Sequence, residues 1–446
     1  MTSVAADRAG APPRTGTVTG MGTVAGRVVT VTRTVAGVAA RVAGLWAVAV
    51  LTGRRRALPA ATARAVATRL HRAGPTFVKL AQLLGTRLDL LPAELCAAFS
   101  RLYDDVPAIS PRTARALLEA RLGAPPETVF ARFDAEAVAS GSIACVYRAT
   151  LLDGTEVAVK LRRPGVERIV AADLRLLAWG TALLARTPLM RGLPAVAAVR
   201  QMSEAVAGQL DFTAEAASLV RLSAALEAVE GIRVPLPHPG LADVARTSRG
   251  LLVMDYLPGL RRLSPAELGP EASVRAVETA LSGIYKILFL DGLVHCDLHP
   301  GNLYPMPDGT VQMIDAGFVV RLPESARRAF TEFFFRMGTG NGRRCAEIVL
   351  STARHPAGLD AAAFTAEMVA LVDSVTGARA ADFDLLRFAA GLFELQRRHG
   401  LHADPLFIFP LLGILVFEGA INDHHPELDF QELAMPYLIQ ALFTRR

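Results

Sequence analysis

The sequence predicts an α+β fold in which a helical extension precedes a small strand-rich lobe and a large helical lobe. Two hairpin signals and one change of composition support this prediction. Two strand-like runs with β-branched residues flank an Asp153-Gly154 turn within 137–160, and a second, shorter hairpin turns at Asp308-Gly309. The segments on either side have helical periodicity that proline and glycine interrupt. Because strands and helices do not alternate regularly, a doubly wound sheet is not expected.

The chain divides into five predicted segments. The first lacks periodicity and is expected to be disordered, the second is an apolar or amphipathic helical segment, and the third is the helical extension. The fourth is the small lobe and the fifth is the helical large lobe. Their bounds are 1–20, 21–56, 57–134, 135–258 and 259–446.

The same proline and glycine residues predict the bounds of individual helices and strands. The extension is predicted to hold helices over 58–73 and 76–88, separated at Gly74-Pro75, with a third helix after Pro92. The small lobe is predicted to continue with further helices and strands. These are helices over 166–187 and 194–228 and strands over 232–236 and 250–256.

Composition excludes several classes of protein. Hydrophobic residues make up 52% of the 446 residues and charged residues 20%, which excludes a disordered or collagen-like chain. The net charge of +6 fits contact with anionic lipids, nucleotides or nucleic acid. Nucleic acid is not an expected partner, since no zinc finger, basic block or aromatic-glycine RNA motif is present. The four cysteines form no CxxC pair, so zinc and a disulfide framework are not expected and a reducing cytosol is the simpler location.

The apolar segment 34–53 leaves two interpretations open. It carries Arg41 near its middle, which disfavours a clean transmembrane span, and arginines 54–56 follow it. It is either an interfacial amphipathic helix on an anionic membrane or an alanine-rich helix packed on the domain. A secretory signal is not expected because the apolar stretch starts too late. We therefore expect a cytoplasmic protein, with peripheral contact at the inner face of the plasma membrane under the first interpretation. The second apolar run, 405–417, is too short to span a membrane and is predicted to be a core helix.

Lysine and asparagine are rare in this chain. The basic residues are 45 arginines and only three lysines, Lys79, Lys160 and Lys286, and there are only three asparagines. A GC-rich genome explains the preference for arginine, which serves most surface roles. Where geometry matters, a compact ammonium and a planar guanidinium are not interchangeable, so the lysines are the first candidates for a site.

Lys160 ends the second strand of the first hairpin, in the segment VAVK. Alone, such a lysine extends to solvent in most proteins. The turn before it contains the small residues Ser140, Gly141 and Ser142, which would let backbone N–H groups approach a phosphate; an ordinary flexible hairpin is the alternative.

The segment HCDLHPGN, residues 295–302, carries the strongest chemical signal. Asp297 and Asn302 have the H-x-D-x-x-x-x-N spacing of a kinase catalytic loop. In that arrangement the aspartate accepts a hydroxyl proton or orients the attacking group, and the side-chain oxygen of the asparagine ligates magnesium. His295 is expected to brace the loop, and His299 is expected to be structural.

Two further segments complete the predicted cleft. Asp315 ends an apolar strand and is followed by Ala316-Gly317, the place at which a kinase holds its magnesium aspartate. The strand and linker LLVMDYLPG, residues 251–259, would place Met254 against a nucleotide base and the backbone of Asp255 and Leu257 along the adenine edge.

With these motifs, the sequence resembles the UbiB/AarF/ADCK group of atypical, protein-kinase-like proteins over residues 60–440. The most specific stretch is 74–107, which is similar to the family's KxGQ segment in a helical extension that ordinary kinases lack. Lys79 and Gln82 match its Lys and Gln, whereas the family's Gly is Ala81 here.

Other family motifs match only in part. The ExD motif falls on 209–211, so its Glu is Gln209 and its Asp is Asp211. Glu215 aligns with the acid that pairs with the strand lysine, here Lys160. The DFG motif lacks its Phe, with Ala316 in that place, and no APE-type activation segment is present, which argues against peptide substrates.

The resemblance implies a two-lobed protein-kinase-like fold that binds Mg-ATP. Lys160, held by Glu215, would grip the phosphates, Asp315 and Asn302 would carry Mg²⁺, and Asp297 would be the catalytic aspartate. The resemblance also implies ATPase activity or phosphorylation of a small or lipid-like molecule, with a link to isoprenoid quinone biosynthesis. Two alternatives stay open: a small-molecule phosphotransferase of the aminoglycoside/choline kinase type, and a nucleotide-gated, non-catalytic lipid-binding module.

Overall fold

The computed structural model describes twelve stretches of the chain. They are residues 24–52, 58–85, 93–99, 102, 106–187, 195–241, 249–261, 263–298, 300–375, 385–422, 425 and 428–443. The predicted disordered tail, 1–20, and the arginines 54–56 lie outside the described residues.

Four helices of the described chain cover the predicted apolar segment and the first part of the extension. They are α1 Val24–Thr52, α2 Leu58–Ala73, α3 Pro75–Gly85 and α4 Ala93–Phe99. The predicted helix over 58–73 is confirmed, and Gly74, at a φ of +117°, separates it from α3. Pro75 fits the first position of α3, where a helix has no use for the missing N–H. Helix α3 covers the predicted 76–88 helix as far as Gly85, and residues 86–88 lie outside the described residues.

A buried ion pair fixes α1 to the rest of the molecule. Arg27 donates two hydrogen bonds to the Asp173 carboxylate, both at 2.6 Å, and a third to the carbonyl oxygen of Ala73 at 2.9 Å. The Thr76 hydroxyl donates to the same carboxylate at 2.6 Å. Asp173 belongs to α6, Val166–Leu184. Because buried charges are tolerated when they are paired and hydrogen-bonded, this contact joins α1 to α6 and to the junction of α2 and α3.

An antiparallel sheet with the order β1-β2-β3-β5 forms the small lobe. The first three strands are β1 Phe130–Ser140, β2 Ala144–Leu151 and β3 Glu156–Arg162; the short β4, Ile232–Arg233, lies elsewhere, and β5 is Leu251–Asp255. The predicted hairpin at Asp153-Gly154 is confirmed as the β2–β3 turn. Strand β1 starts at Phe130, and the polar residues in its first half conceal its strand character in the sequence; the small-lobe boundary at residue 135 stays a prediction. Helix α5, Pro111–Leu122, also packs Leu118 into the sheet's core.

The helix predicted over 194–228 is two helices. They are α7 Ala195–Gly208 and α8 Phe212–Leu226. Asp211 caps α8, since its carboxylate accepts hydrogen bonds from the backbone N–H groups of Thr213 at 3.0 Å and Ala214 at 3.4 Å. An aspartate satisfies the unpaired N–H groups at a helix start, so it begins a new helix here.

Two short strand pairs hold the segments with the catalytic-loop and magnesium-aspartate motifs. The predicted hairpin at Asp308-Gly309 is confirmed as β7 Leu303–Pro305 and β8 Val311–Met313, and β4 adds to β8 in parallel. Strand β6, Leu293–His295, pairs with β9, Val319–Arg321. Because β6 precedes one motif and β9 follows the other, the two motifs are drawn to one place.

The large lobe is helical. A one-turn helix, α9 Pro265–Leu268, precedes α10 Pro270–Tyr285, which continues into a π-helical turn at Lys286–Leu290. The remaining helices are α11 Glu324–Gly338, α12 Gly342–Thr352, α13 Ala361–Asp373, α14 Leu385–Arg398, α15 Pro405–Asn422 and α16 Phe430–Phe443. The predicted core helix over 405–417 is confirmed within α15, where Ile408, Leu411 and Phe417 are buried.

Helix α1 packs on one side and is exposed on the other. It contacts α2 and α6, while Val29, Trp46 and Val48 are each more than half exposed. The stretch Gly26–Val48 is long and apolar enough, by length and composition, to cross a membrane, although Arg41 lies within it. The helix predicted over 34–53 thus exists as part of a longer helix that also rests on the extension.

Candidate active site

Lys160 and Glu215 form the central ion pair of the cleft. Lys160 lies on β3, flanked in the sheet by Val146 and Leu252, and Glu215 lies in the first turn of α8. The Lys160 ammonium donates to Glu215 Oε1 at 2.6 Å and lies 5.2 Å from the centre of the Phe212 ring. Their side chains are 13% and 2% exposed. The predicted pairing of these two residues is therefore present in the structure, and α8 is tied to the sheet through it.

The pKa values of this pair follow from burial and charge. Burial of Lys160 alone would lower its pKa, but the carboxylates of Asp315 and Glu215 outweigh burial, so the pKa is raised. Burial raises the pKa of Glu215 and the ammonium of Lys160 only partly offsets this. Because an ammonium with a raised pKa is fully protonated at neutral pH, Lys160 presents a fixed positive charge in the cleft.

Asp315 completes a triangle of charges with this pair. Its carboxylate lies 3.7 Å from the Lys160 ammonium, and its backbone has a φ of +59°, a left-handed conformation that Asp tolerates better than most residues. Its Oδ1 accepts a hydrogen bond from the N–H of Gly317 at 3.1 Å. Burial raises the pKa of Asp315, but the charges of Lys160 and Lys79 prevail and hold it well below its usual range. The carboxylate is therefore ionised and 43% exposed toward the cleft.

The catalytic-loop motif is held by its own hydrogen bonds. The Asn302 side-chain amide donates to the carbonyl oxygen of Asp297 at 2.7 Å, and the N–H of Ile314 donates to the carbonyl oxygen of Asn302 at 2.9 Å. The second bond links this loop to the segment that carries Asp315. His295, at the end of β6, is buried beneath the loop, whereas His299 lies outside the described residues.

The donor set suits magnesium. Asp315 supplies an ionised carboxylate, and Asn302 uses its amide nitrogen on Asp297, which leaves its oxygen as the atom that would face a cation. Glu215 Oε2 is buried with no hydrogen-bond partner among the described residues. Within the described stretches, no three His, Cys, Asp or Glu side chains cluster to form a metal cage. Hard oxygen ligands in small number fit Mg²⁺, which keeps waters and phosphate oxygens in its shell.

Lys79 reaches into the cleft from the extension. Its ammonium on α3 lies 3.5 Å from the Asp297 carboxylate, and their side chains are 15% and 26% exposed. Gln82, one turn further along α3, donates to the carbonyl oxygen of Leu102 at 2.8 Å, and its Oε1 is buried without a partner among the described residues. The extension thus places a positive charge on the aspartate of the catalytic-loop motif, while the glutamine ties α3 to the chain beyond α4.

The predicted phosphate turn is used differently from the expectation. The N–H of Gly141 donates to the carbonyl oxygen of Ala144 at 2.9 Å, so it does not serve as a free donor to a phosphate. The Ser140 hydroxyl donates to the carbonyl oxygen of Val106 at 2.6 Å and accepts from Arg163 at 2.7 Å. Of the three predicted residues, Ser142 is buried with its hydroxyl unpartnered in the described chain. The Gly141 N–H is engaged because the turn closes on itself, and contact of this turn with a phosphate stays a prediction.

The predicted adenine-edge residues are partly engaged as well. The Asp255 N–H donates to the carbonyl oxygen of Leu236 at 3.0 Å, and its carboxylate accepts from the Leu236 N–H at 2.8 Å. The Asp255 N–H is therefore not free for a base. Contact of a base with the Asp255 carbonyl and with Leu257 stays a prediction.

Arg162 and Arg163 are structural partners of the site that sequence reasoning missed. Arg162 is buried, forms an ion pair with Glu167, and donates to the carbonyl oxygens of Leu210 and, at 3.0 Å, Arg249. It thus holds the segment before α8 near Asp211. Arg163 donates to the carbonyl oxygen of Gly141 at 2.7 Å. Their position two and three residues after Lys160 was the one available signal.

Comparison with known proteins agrees with this geometry. The fold and the site define a two-lobed, protein-kinase-like protein with a helical extension. The model of the ABC1 atypical kinase-like domain matches residues 101–349. "Probable protein kinase UbiB" from Pseudomonas putida is 30% identical over 375 residues, covering 82% of this chain and 68% of that protein. The protein of the same name from Tolumonas auensis is 28% identical over 373 residues, with the same coverage.

The chain belongs to the ABC1 atypical kinase-like family. The resemblance to the UbiB group is confirmed by these matches. A solved structure, Rv3197 from Mycobacterium tuberculosis in complex with erythromycin, is 20% identical with a TM-score of 0.47, and the match covers 78% of this chain and 91% of that one.

The charge of Asp315 yields a prediction about stability and pH. Its pKa is lowered in the folded state, so its contribution is complete above the unfolded pKa, about 3.9, and is lost as the pH falls through the folded pKa. We expect Asp315→Asn to lower the free energy of unfolding more at about pH 6 than at about pH 3. Urea unfolding of both proteins at the two pH values measures this difference.

Asp315→Ala is the matched variant for the backbone. Alanine tolerates a positive φ less well than asparagine, so it should cost additional stability at both pH values. An equal effect of Asp315→Asn at the two pH values would contradict the charge interpretation.

Proposed function

We propose that the protein is an atypical ATPase or kinase that binds Mg-ATP in the cleft between its lobes and acts on a small or lipid-like molecule. The observation that carries the proposal is the convergence of Lys160, Glu215 and Asp315 within 3.7 Å contacts, next to the loop of Asp297 and Asn302. These residues come from separate parts of the chain, and a structural ion pair alone does not need all of them.

Each residue has a role that its contacts support. Lys160, oriented by Glu215, would bind the α- and β-phosphates as a positive point charge. Asp315 and Asn302 would hold magnesium, which neutralises phosphate charge when it is bound. Asp297 would accept the proton of the attacking hydroxyl group or water, or would orient that group. Positioning and electrostatics would supply most of the rate enhancement, as in phosphoryl transfer generally.

The extension would restrict what enters the cleft. Lys79 lies on the carboxylate that an acceptor must approach, so a large or peptide substrate would have to displace α3. A small or lipid-like acceptor, or water, needs less room. The relatives named "Probable protein kinase UbiB" and the family resemblance support a link to isoprenoid quinone biosynthesis, which we include in the proposal.

We propose that the protein acts at a membrane surface. Helix α1 exposes Trp46 and Val48 and is long enough to span a membrane, while its exposed arginines, Arg33 and Arg41, suit anionic headgroups. We propose peripheral contact at the inner face of the plasma membrane, with the kinase-like lobes in the cytoplasm.

A non-catalytic, nucleotide-gated lipid-binding module is the second candidate function. One observation favours it, namely that the ammonium of Lys79 forms an ion pair with the carboxylate of Asp297. A phosphotransferase of the aminoglycoside/choline kinase type is disfavoured by membership of the ABC1 family and by the helical extension.

Phosphate release from Mg-ATP separates the catalytic candidate from the binding module. We expect release by the pure protein with or without anionic liposomes, and a loss of about a hundredfold for Asp315→Asn and for Asp297→Asn, because the first removes the charge that would hold magnesium and the second the carboxylate that would orient the attacking group. Asp308→Asn, in an exposed hairpin turn, is the control. If the wild type released no phosphate in either condition, or if Asp315→Asn kept the wild-type rate, the binding module would be preferred.

Lys79 and Gln82 test the role of the extension. We expect Lys79→Ala to raise turnover and to lower the magnesium concentration needed, because it removes a positive charge beside Asp297. Gln82→Ala should act in the same direction by loosening α3. The measurements are ATP affinity and turnover across a magnesium titration, with Arg112→Ala on α5 as a control that removes one exposed charge. Unchanged ATP affinity and turnover in both variants would refute the proposed role.

A further inference from the structure

Four arginines converge on one cleft between α1 and α2. The cleft has a volume of about 460 Å³ and lies in the extension, outside the proposed nucleotide site. Helix α1 contributes Arg41 and Leu45, one turn apart, and a single stripe of α2 contributes Arg64, Arg69 and Arg72. Side chains three or four residues apart share a helix face, so both helices direct guanidinium groups into the same space.

The charge of this region is one-sided along the sequence. Between Asp7 and Asp89 the chain has no Asp or Glu, while residues 8–88 contain twelve arginines and Lys79. That stretch therefore carries +13, and the rest of the chain carries −7, since the total is +6. Neither α1 nor α2 has an acidic residue to neutralise the cleft from within.

The cleft arginines have no protein partner among the described residues. Other arginines of the chain, such as Arg27, Arg327 and Arg344, hold carboxylates at hydrogen-bond distance. The side chains of the four cleft arginines make no ion pair or hydrogen bond in the described chain. Like charges so close together repel each other, and an anion between them would remove that repulsion.

Gly37 gives Arg69 its position. A β-carbon built on Gly37 would overlap the Arg69 guanidinium, so the absent side chain on α1 is what lets this arginine cross toward α1. Arg69 is half-buried as a result. The anchoring of α1 through Arg27 and Asp173 holds the two walls of the cleft together.

We propose that this cleft is a binding site for a phosphate group, separate from the nucleotide site. Guanidinium groups bind phosphate oxygens through paired, charge-assisted hydrogen bonds, and several of them around one space favour a phosphate monoester or diester over a chloride-sized ion. The phosphate has two possible sources, a phospholipid headgroup and a soluble phosphate ester. The exposed Trp46 and Val48 beside Leu45 favour the headgroup, because they offer an apolar surface next to the charge.

The test uses the full chain with Trp179→Phe, which leaves Trp46 as the only tryptophan. The probes are vesicles of phosphatidylcholine alone, vesicles containing phosphatidylglycerol, and soluble glycerol phosphate. Vesicle affinity is measured by co-sedimentation, glycerol phosphate affinity by calorimetry, and the Trp46 emission maximum is followed in both. None of these three measurements depends on ATP, so the result is independent of whether the proposed catalytic function holds.

The cleft variant is Arg64→Gln with Arg69→Gln, and its matched control is Arg112→Gln with Arg168→Gln. Arg112 and Arg168 are exposed residues on α5 and α6 that do not line the cleft, so both variants lose two charges. We expect the cleft variant to weaken binding to phosphatidylglycerol vesicles by about tenfold or more, and the control by about threefold or less. With the cleft intact in the Trp179→Phe background, the Trp46 emission should shift to the blue on those vesicles and not on phosphatidylcholine alone.

The other outcomes decide the remaining questions. If glycerol phosphate binds and the cleft variant alone loses it, while the two vesicle types bind equally, the site stands with a soluble phosphate ester as its ligand. If the cleft and control variants bind every probe equally, the attraction is general surface charge and the proposal is overturned. Absence of binding to all three probes would overturn it too.

Discussion

The buried ion pair of Lys160 and Glu215 is the interaction on which the arrangement of this protein depends. An ammonium and a carboxylate with side chains 13% and 2% exposed are stable together and costly apart, because removal of either leaves a buried charge without compensation. The pair therefore requires α8 to dock against β3. The Asp211 cap fixes where α8 begins, and Arg162 fixes the segment before it. Docked in this way, the pair leaves Lys160 within 3.7 Å of Asp315, so one contact joins the sheet, the helix and the loop of the large lobe.

The extension is part of the same charge balance. Lys160, Glu215 and Asp315 carry one positive and two negative charges, so they do not balance by themselves. Lys79 adds a second ammonium next to Asp297 and lowers the pKa of Asp315. The cleft thus alternates ammonium and carboxylate groups drawn from α3, β3, α8 and the two motif loops. Under the proposed function, an incoming magnesium nucleotide would bring charges of both signs and would replace these internal pairings. The proposed catalytic role and the proposed gating by the extension are in this sense one electrostatic property.

Sequence patterns predicted the parts of the fold that are local and the parts of the site that are motifs. Both Asp-Gly hairpins, the helix over 58–73 and the core helix over 405–417 follow from turn chemistry and periodicity. The rarity of lysine also proved informative, since all three lysines pair with carboxylates: Lys79 with Asp297, Lys160 with Glu215 and Lys286 with Asp291. What the sequence did not predict depends on partners that are distant along the chain or hidden within a turn. Arg27 and Asp173 are 146 residues apart, and the engagement of the Gly141 N–H depends on how its own turn closes. The split between α7 and α8 was predictable in principle from Gly208 and the cap at Asp211, but uninterrupted helical periodicity on both sides concealed it.

We propose above all that Asp315 and Asn302 hold the metal of a nucleotide whose phosphates contact Lys160. The most direct measurement is a crystal structure with Mn²⁺ and a non-hydrolysable ATP analogue, in which anomalous scattering locates the metal. We expect one peak at ligand distance, roughly 2.0–2.4 Å, from oxygens of both residues, with the analogue's phosphates on Lys160 and the Glu215 contact preserved. A peak elsewhere, or a nucleotide bound without contact to Lys160 and Asp315, would contradict it.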